Sequence, residues 1–536
     1  MPWRELKPMD LKLLFIADYI KGPPSFSALC QAYEISRKTG YKWVERYERE
    51  GPAGLEEHSR RRLAREGGLT ADLVFLPYSD PIVGASLLAK AAVQLASIAT
   101  DPPPSRAGFF HRDLFGCPPP LRSNDACPRR MSMPYERTLD LNSDAFRGEA
   151  YRHYAALRQA SPVFLSQPEG QLPMWYVTGA REVEEVLMDS ERFARDPSRI
   201  DPQFAAMLGG EQSIAFLNDH MLNRDGESHR RLRRLVNKAF TLKAVNAMRP
   251  RIEQIAESLL DAVGPSGQMD VVSQYAFPLS ITVIAELLGV PAQDRDDFRR
   301  WSHMIVRQVG HDLSELQRCY NEFAGYMLAL IDRRRAYPAD DLVSALAQVE
   351  EEGRMLSRSE LCSMIALLII AGHETSASMI GNAVHTLVQH PEALARLRDE
   401  PALMPDAVEE FLRYDSSVER AMVRFVTRDT ELAGQHLRRG QFVVAVVGSA
   451  NRDEAMCANP ERLDITRPAC PHMSFGKGTH YCLGASLARQ ELDIALNTLL
   501  WRCPGLRLAV DPSAVRWRYV PNFRGPDALP VCWSVD

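Results

Sequence analysis

The sequence predicts a mainly α domain with small β-sheets at one edge, carried behind a small all-α unit. Three observations predict it. Residues 251–335 keep an amphipathic helical period that breaks only at Gly264-Pro265 and Gly289-Val290-Pro291. A longer helix opens with the capping-box pattern Ser357-Arg358-Ser359-Glu360 and runs to His390-Pro391. At ~1.5 Å per residue it is about 50 Å long, enough to cross a whole domain. Strand-prone stretches, by contrast, are few and short. Val163-Phe164 and Met174-Trp175-Tyr176-Val177 flank Pro168-Glu169-Gly170 as a hairpin, and two more stretches follow at 422–426 and 442–447. Two short helices, 181–188 and the arginine-rich 228–239, complete the pattern.

Composition narrows the class. A length of 536 residues fits roughly two to four domains, and a hydrophobic share of 45% supports a large core. The formal net charge of -5 is small for this length and speaks against a chain given over to nucleic acid or an anionic membrane. Ten cysteines are scattered without a repeating pattern, so no disulfide framework is implied. Met1-Pro2-Trp3-Arg4-Glu5-Leu6-Lys7 puts charges where a signal peptide needs its apolar core. The longest apolar stretch, 364–372, is far short of the roughly 20 residues that span a bilayer. The expectation is a soluble, cytoplasmic protein with reduced thiols and no membrane attachment.

Residues 1–62 read as three short helices. Leu11, Leu14, Phe15, Ala17 and Ile20 share one face, ended by Gly22-Pro23-Pro24. A second helix follows at 26–33, and Ser36 caps a third that begins Arg37-Lys38-Thr39-Gly40. This is helix-turn-helix spacing, with Arg37, Lys38 and Lys42 on the recognition helix. The 12 Lys and Arg against 9 Asp and Glu in this stretch are a weak electrostatic footprint for DNA. Residues 63–130 have no sustained period, and Pro102-Pro103-Pro104, Pro118-Pro119-Pro120 and Cys127-Pro128-Arg129-Arg130 mark a disordered linker, with a stray helix at 87–98. Met131 and Met133 are alternative starts for the globular domain, which spans 131–536.

The chemistry concentrates in one loop, Phe475-Gly476-Lys477-Gly478-Thr479-His480-Tyr481-Cys482-Leu483-Gly484. Its three glycines allow tight turns and close approach to a flat ligand. Cys482 precedes a helix-prone run, and a helix N-terminus favours the thiolate. One reading is a zinc site built from Cys470, His472, His480 and Cys482. The other is a haem, which uses the thiolate on iron, the glycines against the macrocycle and a histidine on a propionate. On the long helix, Ala371-Gly372-His373-Glu374-Thr375 sets an acid and a hydroxyl inside an apolar run, a costly arrangement unless it is used or locally satisfied. Glu410 and Arg413, three apart on a helix, read alone as a surface ion pair, and His229 with Arg233 as an anion site or solvated charge. Arg424 sits in a strand-prone stretch, free to reach an anion or face water.

With those residues in place, residues 133–536 resemble a soluble bacterial cytochrome P450, a haem-thiolate monooxygenase. The match rests on the loop Phe475–Gly484, Ala371–Thr375, Glu410-Phe411-Leu412-Arg413, His229 with Arg233, the Arg424 strand and Ala450-Asn451-Arg452-Asp453. It extends to the terminal Arg524-Gly525-Pro526 and Leu529-Pro530-Val531. The resemblance implies the P450 fold, with haem b held between the long central helix and the Cys loop. It makes Cys482 the axial iron ligand, and Glu374 and Thr375 the catalytic proton relay. It places Ala371, Gly372, Phe475, Gly476 and Gly484 against the cofactor, with His229, Arg233, Arg424 and His480 on its propionates. It gives Glu410 and Arg413 a structural role. It implies a monomer acting on a small organic substrate and dioxygen, with electrons from a ferredoxin and its ferredoxin reductase. Substrate specificity is expected from the loop 200–223, the helices of 277–309 and the segment 416–422, where Glu419 and Arg420 are expected to face solvent.

Residues 1–62 in turn resemble the N-terminal helix-turn-helix of insertion-sequence transposases through Ile35-Ser36-Arg37-Lys38-Thr39-Gly40-Tyr41-Lys42, Gly54-Leu55 and Ser59-Arg60-Arg61. Those enzymes need an acidic-triad nuclease domain that nothing downstream resembles. The segment is therefore read as vestigial, a fused fragment or a mis-set start. DNA is not the expected partner, and a DNA-binding regulator or haem-based sensor is the alternative.

Overall fold

The computed structural model describes residues 15, 26, 29–30, 33, 35–50, 139–168, 172–201, 219–307, 313–351, 353–468, 470–518, 520 and 522–534. The chain divides into two compact units, residues 1–77 and 78–536. The linker 63–130 with its helix at 87–98, the face at 11–20 apart from Phe15, and most of the loop 200–223 lie outside the described residues.

In the first unit, helix α1 (Arg37–Glu50) begins where the Ser36 hydroxyl accepts the Thr39 N–H at 3.1 Å. Phe15 is fully buried and meets Tyr33 and Trp43 edge-on at 5.4 and 5.5 Å. A Cβ on Gly40 would stand 2.7 Å from Cys30 Sγ, so only glycine lets α1 approach this closely. Arg37, Lys38, Tyr41 and Lys42 are exposed.

The second unit opens with helix α2 (Ala150–Ala160) and the hairpin of β1 (Val163–Ser166) and β2 (Met174–Val177), paired Val163 to Val177. Helix α3 (Ala180–Met188) and β3 (Phe193–Ala194) follow, then α4 (Gly226–Ala239) and α5 (Arg249–Val263). Strand β4 (Gln268–Asp270) interrupts the helices before α6 (Phe277–Leu287), α7 (Arg295–Arg307) and α8 (Leu313–Ala336). The long helix is α9 (Arg358–Val388), followed by α10 (Met404–Tyr414), β5 (Arg424–Val426) and β6 (Phe442–Ala445). Helix α11 (Ala485–Arg502) and strands β7 (Arg507–Leu508) and β8 (Pro530–Cys532) follow toward the C-terminal end.

The strands form a five-stranded sheet in the order β1-β2-β6-β5-β3 and a three-stranded one in the order β7-β8-β4. β6 joins β2 in parallel, Phe442 opposite Met174, and β5 antiparallel, Phe442 opposite Phe425. This pairing brings residues more than 260 apart together and carries Arg424 into the interior. The sheet of β4, β7 and β8 was not foreseen: strands of two and three residues are too short to show an alternating pattern.

Helix α9 organises the main core. Ser357 and Glu360 form the expected capping box, with Ser357 Oγ accepting the Glu360 N–H at 3.1 Å and Glu360 Oε2 accepting the Ser357 N–H at 2.9 Å. Such a cap is worth about 1 kcal/mol. The helix packs on α6, α8 and α11, and its residues from Leu361 to Leu387 are largely buried. Among the described residues it is the helix long and apolar enough to cross a membrane, but its apolar surface is covered by the rest of the domain.

Candidate active site

One face of α9 departs from this burial. Leu368, Ala371, Gly372 and Thr375 keep access to open space, while Ile369, His373, Glu374 and Ser376 beside them are buried. The spacing i, i+3, i+4, i+7 is a single helical stripe, so the middle of the core helix borders a hollow. Thr375 Oγ1 donates to the Ala371 carbonyl at 2.7 Å, the back-bond expected from sequence, and the helix stays continuous through Gly372.

The Cys loop is closed by its own backbone. Cys482 N–H donates to the Phe475 carbonyl and Gly476 N–H to that of Met473, each at 2.8 Å. Gly476 and Gly478 have φ of 70 and 71°, which a side chain rarely tolerates, and a Cβ on Gly478 would stand 3.1 Å from the Leu187 carbonyl. Arg489 of α11 braces the loop from beneath, with its guanidinium 4.5 Å from the Phe475 ring centre and bound to Glu409 at 2.6 and 2.9 Å. Cys482 is partly buried, and α11 starts three residues later with Gly484 as its cap. The thiolate bias expected at a helix start is present but outweighed: burial raises the thiol above its ordinary value, and the Gly484 N–H, Arg233 and Arg489 offset this only in part.

Beside the loop lies an unusual concentration of cationic groups. His229, Arg195 and Arg424 are buried, and Arg233 and His480 partly so. Arg233 Nη1 donates to the Tyr481 carbonyl at 2.8 Å, Arg424 Nη1 to that of Phe193 at 3.0 Å, and the His229 and His480 rings lie 4.4 Å apart. Asp225 is the carboxylate among them; it accepts His480 Nε2 at 3.2 Å and the backbone N–H of Arg195 at 2.7 Å. Burial pushes Arg424 down to about 10 and, with Arg424 nearby, Arg195 to about 10 as well. Burial, with His480 and Arg233 adding to it, pushes His229 down to about 4. Both ring nitrogens of His229 and Nε of Arg424 lack a hydrogen-bond partner. A buried cluster with this surplus of donors and one acid is incomplete without an anion.

The other predicted residues sit around these two walls. Glu410 and Arg413 are buried, not on the surface as the pair alone suggests, and bind each other at 2.7 and 2.8 Å. The rival zinc site does not assemble: His472 is held by Glu409 at 3.1 Å, His480 by Asp225, and no metal-binding cluster occurs among the described residues. Glu419 and Arg420 contradict the expectation that they face solvent. Both are 3% exposed, bound to each other at 3.2 Å, while Arg420 donates to Asn142 Oδ1 at 2.8 Å and Tyr154 Oη at 3.0 Å. The segment threads beneath α2, and partners about 270 residues away gave no local signal.

Sequence reasoning missed two contacts. Glu374, buried, is ion-paired with Arg518 of the C-terminal segment. Glu491 of α11 is also buried, with Oε2 unpartnered, and burial pushes it up to about 8, the hydroxyls of Ser376 and Ser280 drawing it back only in part. An acid among the apolar positions of α11 was the available signal. Because the folded value exceeds the ordinary 4.5, the native state holds this proton more tightly than the unfolded chain, and stability falls as pH rises from about 4.5 to about 8. Glu491→Gln is expected to gain in urea midpoint relative to the wild type across that window and stay level above it, an effect of at most a few kcal/mol. A midpoint difference that does not vary with pH overturns the assignment.

The family model for cytochrome P450 matches residues 144–504. The chain belongs to the cytochrome P450 family. Cytochrome P450 107B1 of Saccharopolyspora erythraea is 40% identical over 392 residues, 72% of this chain and 96% of that protein. The 6-deoxyerythronolide B hydroxylase of the same organism is 41% identical over 399 residues, 73% of this chain and 98% of that protein. The solved structure of the bacillaene polyketide synthase cytochrome P450 PksS of Bacillus subtilis aligns with a TM-score of 0.70 at 37% identity, covering 74% of this chain and 100% of that one. A helix-turn-helix domain model matches residues 11–63.

This P450 is therefore a monooxygenase, an oxidoreductase that incorporates oxygen from dioxygen into a small substrate, and its family's cofactor is haem b. The residues present fit that group. Basic side chains with unpartnered nitrogens on His229 and Arg424 lie beside the Cys482 loop and suit an anionic edge, and the open stripe of α9 leaves room beside the core helix. Like its bacterial relatives it works with a redox partner.

Proposed function

We propose that Cys482 supplies the axial thiolate and that His229, Arg233, Arg424 and His480 receive the propionates, with Arg195 as a fifth, previously unsuspected member. The observation that carries this reading is the concentration of basic groups beside the Cys482 loop, with unpartnered ring nitrogens on His229 and an unpartnered Nε on Arg424. A haem held by these residues would supply the activation of dioxygen and the oxygen insertion. Phe475, Gly476 and Gly484 shape the loop beneath it, and Ala371 and Gly372 border it from α9. Glu410 and Arg413 stay structural, fixing the segment that leads into the loop.

Glu374 and Thr375 move protons into the hollow. Thr375 is anchored through its own hydrogen to Ala371, which leaves its oxygen lone pairs free to accept from a water. Glu374, ionised while paired with Arg518, takes up and passes on a proton only when it leaves that partner. Thr375→Ala is expected to retain haem and substrate binding but to lower product formed per electron pair several-fold, within the roughly 10²–10⁴-fold scope of acid–base catalysis, with peroxide released instead. Unchanged coupling removes Thr375 from the relay.

The redox partner is a ferredoxin with its reductase. Arg230, Arg234, Lys238 and Lys243 are exposed on and just after α4, the helix that Arg233 ties to the Cys loop, and present a basic face to an acidic electron carrier. The enzyme acts as a cytoplasmic monomer on a small organic substrate. No observation on the described residues favours a DNA-binding regulator. The test is spectroscopic: reduction under CO must give the red-shifted Soret band of a thiolate-ligated haem, and a panel including 6-deoxyerythronolide B must be screened for Soret shifts on binding. A colourless preparation sinks the cofactor assignment; a panel without shifts sinks only the substrate class.

A further inference from the structure

We propose that Glu409 is a positioning residue that sets the reduction potential of the haem at Cys482, by fixing Arg489 beneath the Phe475 ring and cancelling its charge. The inference rests on Cys482 being the axial ligand. Glu409 sits on α10 one residue before Glu410, but it turns away from the Arg413 network and toward α11. Its Oε1 accepts Arg489 Nε at 2.6 Å, and its Oε2 accepts Arg489 Nη2 at 2.9 Å and His472 Nε2 at 3.1 Å. The Ser474 backbone N–H donates to His472 Nδ1 at 3.2 Å, so the ring proton sits on Nε2 and the imidazole is neutral. Burial works against charge on Glu409, yet the bonds from Arg489 and His472 hold its carboxyl down to about 2, which keeps it ionised at neutral pH. One cation, one anion and one neutral ring sum to zero.

Placement gives this trio a role beyond bracing. The Arg489 and Glu409 side chains are 35 and 41% exposed, and an ion pair this open does little for stability. What it fixes is a guanidinium 4.5 Å from the centre of the Phe475 ring, with the His472 ring 6.0 Å from that same ring. The Phe475 carbonyl accepts the Cys482 N–H at 2.8 Å, so Arg489 stands against the closure that carries the sulfur. Its charge is felt there: burial pushes the Cys482 thiol up, and Arg489, with the Gly484 N–H and Arg233, opposes that push. A positive charge beside the ligand favours reduced iron, which carries one electron more, and a negative charge favours oxidised iron. Glu409, bound directly to Arg489, offsets the field of that cation.

Removing either partner unmasks the other, so the two single variants should move the potential in opposite directions. Glu409→Gln leaves the Arg489 charge uncompensated, and the potential should rise. Arg489→Gln leaves the carboxylate uncompensated, and the potential should fall. Each shift is expected at about threefold to tenfold in the reduction equilibrium, about 30–60 mV for a one-electron couple, since salt and water screen groups this open. Glu409→Gln with Arg489→Gln restores neutrality and should return the potential to that of the wild type. Arg489→Lys keeps the charge without the planar fork and should stay close to it.

The test is a spectroelectrochemical titration of full-length, haem-loaded wild type and these four variants, each paired with the spectrum of its reduced CO complex. The expected result is a red-shifted Soret band in every protein, opposite displacements in the two single variants and recovery in the double variant. Single variants displaced in the same direction, or haem loss in them that the double variant shares, mark a brace and overturn the proposal. Equal potentials throughout, with the Soret band intact, overturn it as well while leaving Cys482 as the ligand. A wild type without that band overturns both.

Discussion

Cys482→Ser is expected to fold and yet lose the red-shifted Soret band of the reduced, CO-bound enzyme together with all monooxygenase turnover. The loop does not depend on the sulfur for its shape. It is set by the backbone bonds from Cys482 to Phe475 and from Gly476 to Met473, by two positive-φ glycines, and by Arg489 beneath the Phe475 ring. Serine satisfies the same backbone and fills nearly the same volume. On the proposed assignment, what disappears is a thiolate that would bear negative charge on the haem iron. Turnover should therefore fall by more than the roughly 10²–10⁴-fold that a general acid or base contributes. Some haem should remain, because the cationic cluster at His229, Arg195, Arg424 and His480 is untouched. Absorbance of the reduced CO complex and product assay measure both; a wild-type Soret band in the variant moves the ligand to another cysteine.

The parts of this protein that could be read in advance are those whose signals are local. The capping box at Ser357, the apolar run behind it, the glycines around Cys482 and the three-residue spacing of Glu410 and Arg413 all lie within one turn or one loop. Each emerged where expected, although the ion pair turned out buried and the bias on the Cys482 thiol runs against the helix-start argument. The parts that could not be read depend on distant chain segments meeting. Glu374 meets Arg518 across 144 positions, and Glu419 and Tyr154 across 265. No periodicity reports such a contact, and a charged pair looks solvent-directed until its partners are in place. The small sheet of β4, β7 and β8 has the same origin: its pairing is long-range, and no strand in it is long enough to alternate.

Arg413→Ala is expected to be the most damaging single change in the chain that touches neither the haem contacts nor the relay. The guanidinium is 1% exposed and all five of its N–H groups are used. Two grip Glu410 at 2.7 and 2.8 Å, and the rest reach the carbonyls of Asn451, Pro460 and Arg462 at 3.0, 2.8 and 3.3 Å. One side chain therefore ties α10 to both ends of the segment that descends to Cys482. Alanine removes the main partner of a buried carboxylate and strands the carbonyls of Asn451 and Pro460, while that of Arg462 keeps Arg467 at 2.8 Å. Glu410 keeps only Arg467 at 3.2 Å and the Asp464 N–H at 2.9 Å. Breaking a buried pair from one side costs about 3–5 kcal/mol, a large share of the roughly 5–15 kcal/mol that holds a folded protein together. The protein should be recovered largely without haem and with a markedly lower urea midpoint.

A graded series separates this mechanism from a general packing defect. Arg413→Lys keeps the charge but not the planar fork, so it should fall between wild type and alanine. The double change Glu410→Gln with Arg413→Met removes both charges together, leaves no ion stranded, and should be less damaging than Arg413→Ala alone. Haem content and urea midpoints should then rank wild type, double variant and Arg413→Ala in that order. A loss below about 1 kcal/mol for Arg413→Ala, the scale of an exposed ion pair, would mean that the loop is held by Arg467 and its carbonyls instead.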